Sequence, residues 1–289
     1  MRSALAAAQP PEEIIVVDAG STDGSVETAA KLDGSVRAIH GTFPNAAASR
    51  NAGAAEAVGE YLGFLDSDDQ LLPGKTTCLV EALASRSNSA LVHGTTEVIG
   101  EHGEPLPELT AAQNASFLKA QRVGTSYGAL AGFCAMFTSA TLIRKQAFES
   151  VNGYDESLDA YEDWDLYLRL ALDWRLTYAN CPAARYRVWS GNVGWRRTAE
   201  WTIRVAEKHL AALPDLPDGE RYAARYGFLR QLSSSHHVLI EPRAARESAL
   251  EAMRLAPRSA WRDRDIRRPF VRSFLPARLL QARRPEGRA

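Results

Sequence analysis

The sequence predicts an α/β domain with a mostly parallel sheet flanked by helices, followed by a helical, basic C-terminal extension. Over residues 1–195, short apolar runs rich in β-branched residues alternate with Ala-rich segments, as in a parallel sheet with crossover helices. Two of these runs end in carboxylate-bearing turns, at Asp18 and at Asp66. From residue 196 only helical periodicity remains. We therefore expect a catalytic domain over 1–195 and a C-terminal extension over 196–289.

The elements are short and follow one another closely. Residues 3–8 are typical of a helix end that Pro10 and Pro11 stop. Strands are predicted at residues 14–17, 36–39, 61–65 and 90–93. Helices are predicted at residues 25–32, 46–58, 76–85, 200–213, 220–238 and 243–255. Ligands bind beyond the carboxyl ends of parallel strands, so we expect Asp18 and the cluster Asp66–Asp69 at one rim of the sheet.

Composition and charge narrow the class of protein. The chain has 289 residues, of which 45% are apolar and 24% charged, which excludes global disorder. The net charge is −1, but residues 1–195 carry 14 basic against 24 acidic side chains and residues 196–289 carry 20 against 11. This asymmetry indicates different partners for the two regions, and no nucleic acid among them.

The cysteines and one uncharged window bear on localisation. Cys78, Cys134 and Cys181 lie far apart, so we expect no disulfide framework and a reducing, cytoplasmic compartment. No targeting segment is evident at the start. Residues 123–143 lack charges over a length that could span a bilayer, but their glycine and hydroxyl residues favour a buried loop and strand.

The acidic run Asp66-Ser67-Asp68-Asp69 is the clearest chemical signal. Three carboxylates within four residues repel one another unless a cation lies among them. Mn²⁺ and Mg²⁺ prefer oxygen ligands and often bridge to substrate phosphates. The run therefore indicates a metal site, and a solvated acidic turn or helix N-terminus is the alternative.

Three further stretches carry chemistry of lower specificity. The turn Asp18–Ser25 suits either ligand contacts or a helix cap. Arg50, within a small-residue helix, suits either an anionic ligand or solvent. Glu162 and Asp163 open a helix, where acids stabilise the helix dipole; one of them is alternatively a general base for a hydroxyl.

Taken in order, these stretches are similar to the signature stretches of family two glycosyltransferases. The matching segments are EIIVVDAGSTDGS, SRNAGAAEAVGEYLGFLDSDD and GYDESLDAYEDWDLYLRLA, and the resemblance covers residues 3–195. It implies an inverting enzyme of the GT-A fold that moves a sugar from a nucleotide diphosphate donor to the hydroxyl of a sugar or lipid-linked acceptor, using Mn²⁺ or Mg²⁺. Surface polysaccharide or glycolipid synthesis is the expected context.

The resemblance also implies roles for individual residues. Donor binding falls on Asp18, Gly20, Ser21, Arg50, Asn51, Asp66 and Ser67. Metal binding falls on Asp66, Asp68 and Asp69, and the role of catalytic base falls on Asp163. Glu162 and Trp164 are acceptor-side candidates. Aromatic residues that would stack on a sugar or pack in the core are Phe133, Tyr161, Trp164 and Trp189.

The chain departs from the family pattern in two places. Ala19 follows Asp18 where many members have a second acid, which leaves uracil recognition open. The family opens with an apolar strand and a small turn, whereas this chain begins inside the helix that follows. Without that strand, we expect strand edges to be unpaired and one wall of the donor site to be missing. Either the start codon is miscalled or the chain is a truncated product. A non-catalytic nucleotide-sugar-binding remnant is therefore the alternative function.

Two other enzyme classes fit less well. A phosphatase of the D-x-D type also places two acids after a strand, but Asp69-Gln70 follows where a Gly-Thr type continuation is expected. A nicotinamide enzyme is disfavoured because no G-x-G-x-x-G follows a predicted strand.

The C-terminal tail suggests a membrane contact. From Arg258 onward it is strongly basic, and residues 269–280 mix apolar residues with Arg. Such a segment suits the anionic inner face of a membrane, where the protein would be peripheral. Packing on the acidic catalytic domain is the alternative, and Pro269 and Pro276 argue against one continuous helix.

Overall fold

The computed structural model describes residues 2–31, 33, 36–189 and 194–275. The chain forms two compact units, which we call unit 1 (residues 1–125 and 135–188) and unit 2 (residues 126–134 and 189–289). The sequence-based boundary followed residue 195. The structure differs by assigning residues 126–134 to the second unit.

The strands of unit 1 form two sheets. Their bounds are β1 Ile14–Asp18, β2 Val36–His40, β3 Tyr61–Leu62, β4 Gln70–Leu71, β5 Ser89–Ile99, β6 Thr141–Arg144 and β7 Arg175–Arg187. β1 and β2 are parallel, with Asp18 opposite His40. The remaining strands form a mixed sheet in the order β3-β6-β5-β7-β4.

The expectation of a mostly parallel sheet is therefore wrong for the larger sheet. Only β5 and β7 pair in parallel within it, and the other three pairs are antiparallel. A short apolar run indicates a strand but not the direction in which the strand is paired. In addition, the patterns did not predict β7, and β5 extends well beyond the predicted 90–93 because it pairs with two neighbours.

Most helices lie close to their predicted positions. In chain order they are α1 Arg2–Leu5, α2 Ser25–Ala30, α3 Ala46–Glu56, α4 Lys75–Ala84, α5 Pro107–Val123, α6 Tyr127–Gly132, α7 Lys145–Ser150, α8 Glu162–Asp173, α9 Trp195–Ala211, α10 Asp218–Leu239, α11 Pro242–Leu255, α12 Pro257–Arg262 and α13 Arg264–Arg272. A 3-10 turn, Thr138–Ala140, precedes β6. None of the helices within the described ranges is long and apolar enough to cross a membrane.

A buried cluster between α4 and the mixed sheet forms a core of unit 1. Leu79 and Leu83 of α4 pack with Val92, Leu142 and Ala183 of the strands. At the same contact Cys78 and Cys181 form a disulfide, 103 residues apart in sequence. The cysteine spacing argued against a disulfide framework and gave no sign of this single bond, because the fold brings together two cysteines that are distant in sequence.

Unit 2 is a helical unit in which α10 packs against α6, α9, α11 and α13. Gly227 of α10 lies against the backbone of α6, and an added Cβ would lie 2.5 Å from the nitrogen of Gly132, so only glycine permits this approach. Ile266 of α13 is fully buried with Leu229. Pro269 lies inside α13 and does not prevent the helix, whereas Pro276 and the rest of the tail lie outside the described residues.

We predict that Cys78→Ser lowers the thermal midpoint of the oxidised protein. The bond closes a loop of about 100 residues, and such bonds stabilise by roughly 2–4 kcal/mol, or about 5–15 °C for a unit of this size. Differential scanning fluorimetry measures the shift. Cys134→Ser, which leaves the disulfide in place, is the matched control, and equal midpoints for all three proteins would contradict the prediction.

Candidate active site

The carboxyl end of β1 forms a tight turn around Asp18. The buried carboxylate accepts hydrogen bonds from the backbone nitrogens of Ser21 at 3.0 Å and Gly20 at 3.3 Å. His40 Nδ1, at the end of β2, lies 3.4 Å from the carboxylate. Hydrogen bonds from the Ser21 side chain and backbone hold the pKa of Asp18 below its ordinary value. The structure thus brings three predicted donor-binding residues into one turn, together with His40, which the patterns had not indicated.

Arg50 of α3 joins three of the sequence motifs. Its Nη2 lies 2.5 Å from Asp66 Oδ1, and its Nη1 donates a hydrogen bond to Glu162 Oε1. Its guanidinium also lies 5.4 Å from the centre of the Tyr154 ring. Burial opposes the charged form, but the neighbouring acids keep the pKa of Arg50 well above its ordinary value. The arginine is therefore a fixed positive charge between the two acidic motifs.

The same helix connects the acidic motifs to the β1 edge. α3 packs on β1 closely enough that an added Cβ on Gly53 would lie 3.0 Å from Val17. Val17 immediately precedes Asp18 in the strand. The strand-end turn and Arg50 are thus held by one helix–strand contact.

The acidic cluster Asp66–Asp69 is a closed turn with unequal carboxylates. Asp69 is buried, and its Oδ1 accepts the backbone N–H of Arg187 at 2.9 Å. Burial raises the pKa of Asp69 to about 6, against the effect of hydrogen bonds from Ser139 and Arg187. Arg187 also binds the Asp68 carbonyl at 2.7 Å. Asp69 therefore bonds within the protein and Asp66 pairs with Arg50, while Asp68 lines the adjoining cavity.

A cavity of about 520 Å³ adjoins this turn. Its lining is mostly polar and consists of Arg2, Ser3, Ala6, Ser67, Asp68, Asp69, Gln70 and Arg187. Across the residues that the structure describes, no three or more His, Cys, Asp or Glu side chains converge as a ready metal cage.

Asp163 lies in the first turn of α8. Its Oδ1 accepts the N–H of Trp164 at 2.7 Å, and its Oδ2 accepts the hydroxyl of Thr138 at 3.4 Å. Removal from water raises the pKa of Asp163, and the charges of Glu162 and Asp66 add to this effect while Arg50 opposes it. A carboxylate in this state takes up a proton near neutral pH more readily than an ordinary aspartate.

The two acceptor-side candidates are engaged within the protein. Glu162 is the ion-pair partner of Arg50. Trp164 is 5% exposed, and its ring meets the edge of Tyr161 with centroids 6.1 Å apart. Of the two roles expected for Trp164, the burial of its indole favours packing in the core, and its place on the acceptor side stays a prediction.

Asn51 ties α3 to the loop before α8. Its Oδ1 accepts the N–H of Tyr154, and its Nδ2 donates to the Tyr154 carbonyl and to Glu156, each at 2.9 Å. Gly153 has φ +65°, and a Cβ there would lie 2.6 Å from Asn51 Oδ1. Both ends of the amide thus form hydrogen bonds inside the protein, and contact of Asn51 with the donor stays a prediction.

Sequence reasoning missed several residues of the site. Tyr154 is buried under Arg50, and its hydroxyl has no hydrogen-bond partner in the described part of the chain. Its signal was its place in the Gly153–Glu156 stretch. Thr138 and Ser139 fall in the uncharged window 123–143, and Lys75 opens an ordinary helix. No pattern in the sequence distinguishes these last three from core residues.

Known proteins resemble this chain over most of its length. The uncharacterized glycosyltransferase YwdF of Bacillus subtilis is 28% identical over 175 residues, which is 58% of this chain and 62% of YwdF. The structure of S. aureus TarS with UDP-GlcNAc covers 95% of this chain and 84% of that one, with a TM-score of 0.62 and 15% identity. The mannosyltransferase PcManGT from Pyrobaculum calidifontis, solved with GDP-Man and Mn²⁺, covers 97% and 80%, with a TM-score of 0.58 and 15% identity.

The solved structures, the curated relative and the family profile support different conclusions about this chain. At 15% identity the two solved structures establish a shared fold. The chain spans less than two thirds of YwdF. The profile described as Glycosyltransferase like family 2 matches residues 4–209, well over half of the sequence. The chain therefore belongs to the glycosyltransferase-like family 2.

Proposed function

We propose that the protein is an inverting glycosyltransferase that moves a sugar from a nucleotide diphosphate donor to an acceptor hydroxyl. The observation that carries this proposal is the junction at Arg50, where an acid of the D-x-D motif and the acid beside Asp163 share one guanidinium. It places a fixed positive charge and a candidate base in one site. Surface polysaccharide or glycolipid synthesis, with a sugar or lipid-linked acceptor, is the context we propose.

The proposed reaction uses the chain's own residues in separate roles. Asp163 takes the proton of the acceptor hydroxyl while that oxygen attacks the anomeric carbon. The bond from the anomeric carbon to the diphosphate oxygen breaks on the opposite face, so the configuration inverts. Arg50 stabilises negative charge on the departing diphosphate. The raised pKa of Asp163 suits it to this proton transfer near neutral pH.

The donor set suits Mn²⁺ or Mg²⁺. Mg²⁺ is commonly held by one or two carboxylates together with substrate phosphates rather than by a full protein cage. Asp68, which lines the cavity, and Asp66 would hold the ion, whereas Asp69 is taken by Arg187 and Ser139. When bound, the ion stabilises charge on the diphosphate leaving group. PcManGT, which was solved with Mn²⁺, supports this part of the proposal.

We further propose that the outer face of α13 contacts an anionic membrane. Arg264, Arg267 and Arg268 are exposed on this helix, and Val271 and Phe274 are 53% and 61% exposed. Spacings of three and four residues put the three arginines and Val271 on one face of α13, and Phe274 follows the end of the helix. Ile266 points into the core of unit 2. Arginine with exposed apolar side chains is the combination that binds an anionic interface.

We predict that Asp163→Asn reduces turnover roughly 10²- to 10⁴-fold, the usual contribution of a general base. Release of nucleoside diphosphate from UDP-GlcNAc and from GDP-Man, each with Mn²⁺, is the assay. Asp173→Asn, the same change at the exposed end of α8, is the control and should stay within about twofold of wild type. If the Asp163 variant turns over within about threefold of wild type, Asp163 is not the general base.

The same assay separates the enzyme from the remnant. A wild-type chain that binds UDP or GDP with Mn²⁺ but releases no product from any donor would favour the non-catalytic alternative. Donor-dependent product release would exclude that alternative.

We predict that Asp68→Ala weakens Mn²⁺-dependent binding of UDP or GDP by roughly tenfold or more, because a charged oxygen ligand is lost. Isothermal titration calorimetry with and without a chelator measures the change. Asp215→Ala alters the net charge equally at an exposed site of unit 2 and should bind as wild type does. Affinity that is the same with and without chelator in the wild type would contradict the metal site.

We predict that the triple variant Arg264→Ser, Arg267→Ser and Arg268→Ser binds anionic vesicles roughly 100-fold more weakly at low salt, at about 1 kcal/mol per residue. Surface changes are preferable to truncation after Pro257, which would remove Ile266 from the core. Sedimentation with phosphatidylserine vesicles is the measurement. The control replaces three exposed arginines elsewhere on unit 2: Arg196, Arg243 and Arg254. Equal pelleting of the two triple variants would exclude this face as the anchor.

A further inference from the structure

Two adjacent hydroxyl groups on the 3-10 turn before β6 face different parts of the site. The hydroxyl of Thr138 donates to Asp163 Oδ2 at 3.4 Å. The hydroxyl of Ser139 accepts the N–H of Asp66 at 3.1 Å. Both side chains are buried, at 5% and 1% exposure. One short turn therefore touches both the candidate base and the acidic cluster.

The opposite side of the turn is held by two buried polar groups. Lys75 Nζ donates to the Ser139 carbonyl at 2.8 Å, and Lys75 is 3% exposed. His93 Nε2 accepts the N–H of Phe137 at 2.9 Å, and His93 is fully buried. Burial lowers the pKa of His93 to about 3, so the ring is neutral and has a nitrogen lone pair for that N–H.

Burying an ammonium group and an imidazole is costly unless each has a compensating bond. Each of these two groups bonds to the backbone of the same turn. Thr141 adds a third anchor, because its hydroxyl donates to the Thr138 carbonyl at 2.8 Å. Hydrogen bonds from α4, β5 and β6 therefore hold the turn in place, and this also fixes the positions of the Thr138 and Ser139 hydroxyls.

We propose that Ser139 and Thr138 are positioning residues with separate duties: Ser139 orients the acidic cluster for the metal-bound diphosphate, and Thr138 orients the carboxylate of Asp163. This inference rests on the proposed glycosyl transfer. Reacting groups must be placed closely, since a misplacement of about 1 Å can cost roughly 100-fold in rate. Neither residue is a catalytic group itself, because each acts through a carboxylate.

The test compares Ser139→Ala and Thr138→Val in the full chain. Calorimetry gives the Kd for UDP or GDP with Mn²⁺, and nucleoside diphosphate release from UDP-GlcNAc or GDP-Man gives kcat. Loss of one hydrogen bond corresponds to roughly 3- to 10-fold. We expect Ser139→Ala to raise Kd by that factor. We expect Thr138→Val to lower kcat by that factor with Kd unchanged, and Thr138→Ser, which keeps the hydroxyl, to restore kcat.

Thr141→Val is the matched control. It removes a buried hydroxyl that holds the same turn but touches none of the acids. If all three hydroxyl deletions change Kd and kcat together, in proportion to a lower thermal midpoint, the residues are merely structural and the inference is overturned. It is also overturned if neither Ser139→Ala nor Thr138→Val changes either quantity.

The wild type separates this inference from the function on which it rests. Suppose that the wild type binds the nucleotide with Mn²⁺ and turns over, while Ser139→Ala does not raise Kd and Thr138→Val does not lower kcat. In that case the inference alone fails. If the wild type neither binds nor turns over, the proposed function fails and the inference falls with it.

Discussion

Arg50 bonds at once to Asp66 and to Glu162, and Glu162 lies 112 residues further along the chain. The signature stretches that begin at Ser49 and Gly153 meet at this guanidinium and at the neighbouring Asn51. The Asp66 side chain is 38% exposed and Glu162 is 10% exposed, so water screens the first ion pair more than the second. The contact with Glu162 therefore carries the larger share of the electrostatic constraint. Without it, a buried carboxylate would lack its counter-charge, which is strongly destabilising.

The same arginine constrains the loop that precedes α8. Tyr154 packs beneath the guanidinium and is held by Asn51, one residue after Arg50 on α3. The adjacent pair Arg50-Asn51 therefore has two tasks. Arg50 joins the charged groups, and Asn51 fixes the backbone that delivers α8 and hence Asp163. The two neighbouring residues thus have different partners: Arg50 pairs with acidic side chains, and Asn51 bonds to the backbone of the loop before α8.

The sequence allowed the acids to be identified but not their partners. Asp18, Asp66 and Asp163 were candidates because the resemblance places the family's motif acids on them, and their roles stay predictions. The Arg50–Glu162 contact could not be predicted, since nothing local to either residue encodes a pairing over such a distance. The mixed sheet and the Cys78–Cys181 bond were missed for the same reason, as both depend on tertiary pairing. For Trp164 the sequence left two roles open, because an aromatic residue can either bind a sugar or fill a core.

The adjacent acids Glu162 and Asp163 illustrate how one helix start can serve two purposes. Glu162 pairs with a guanidinium, and a carboxylate held in this way is suited to structure rather than to proton transfer. Asp163 accepts bonds from neutral donors, the Thr138 hydroxyl and the Trp164 N–H, and burial raises its pKa. A buried carboxylate with a raised pKa is a common form of a catalytic base. In the proposed reaction the base is therefore Asp163, whose pKa burial raises, and not Glu162, which the arginine reaches.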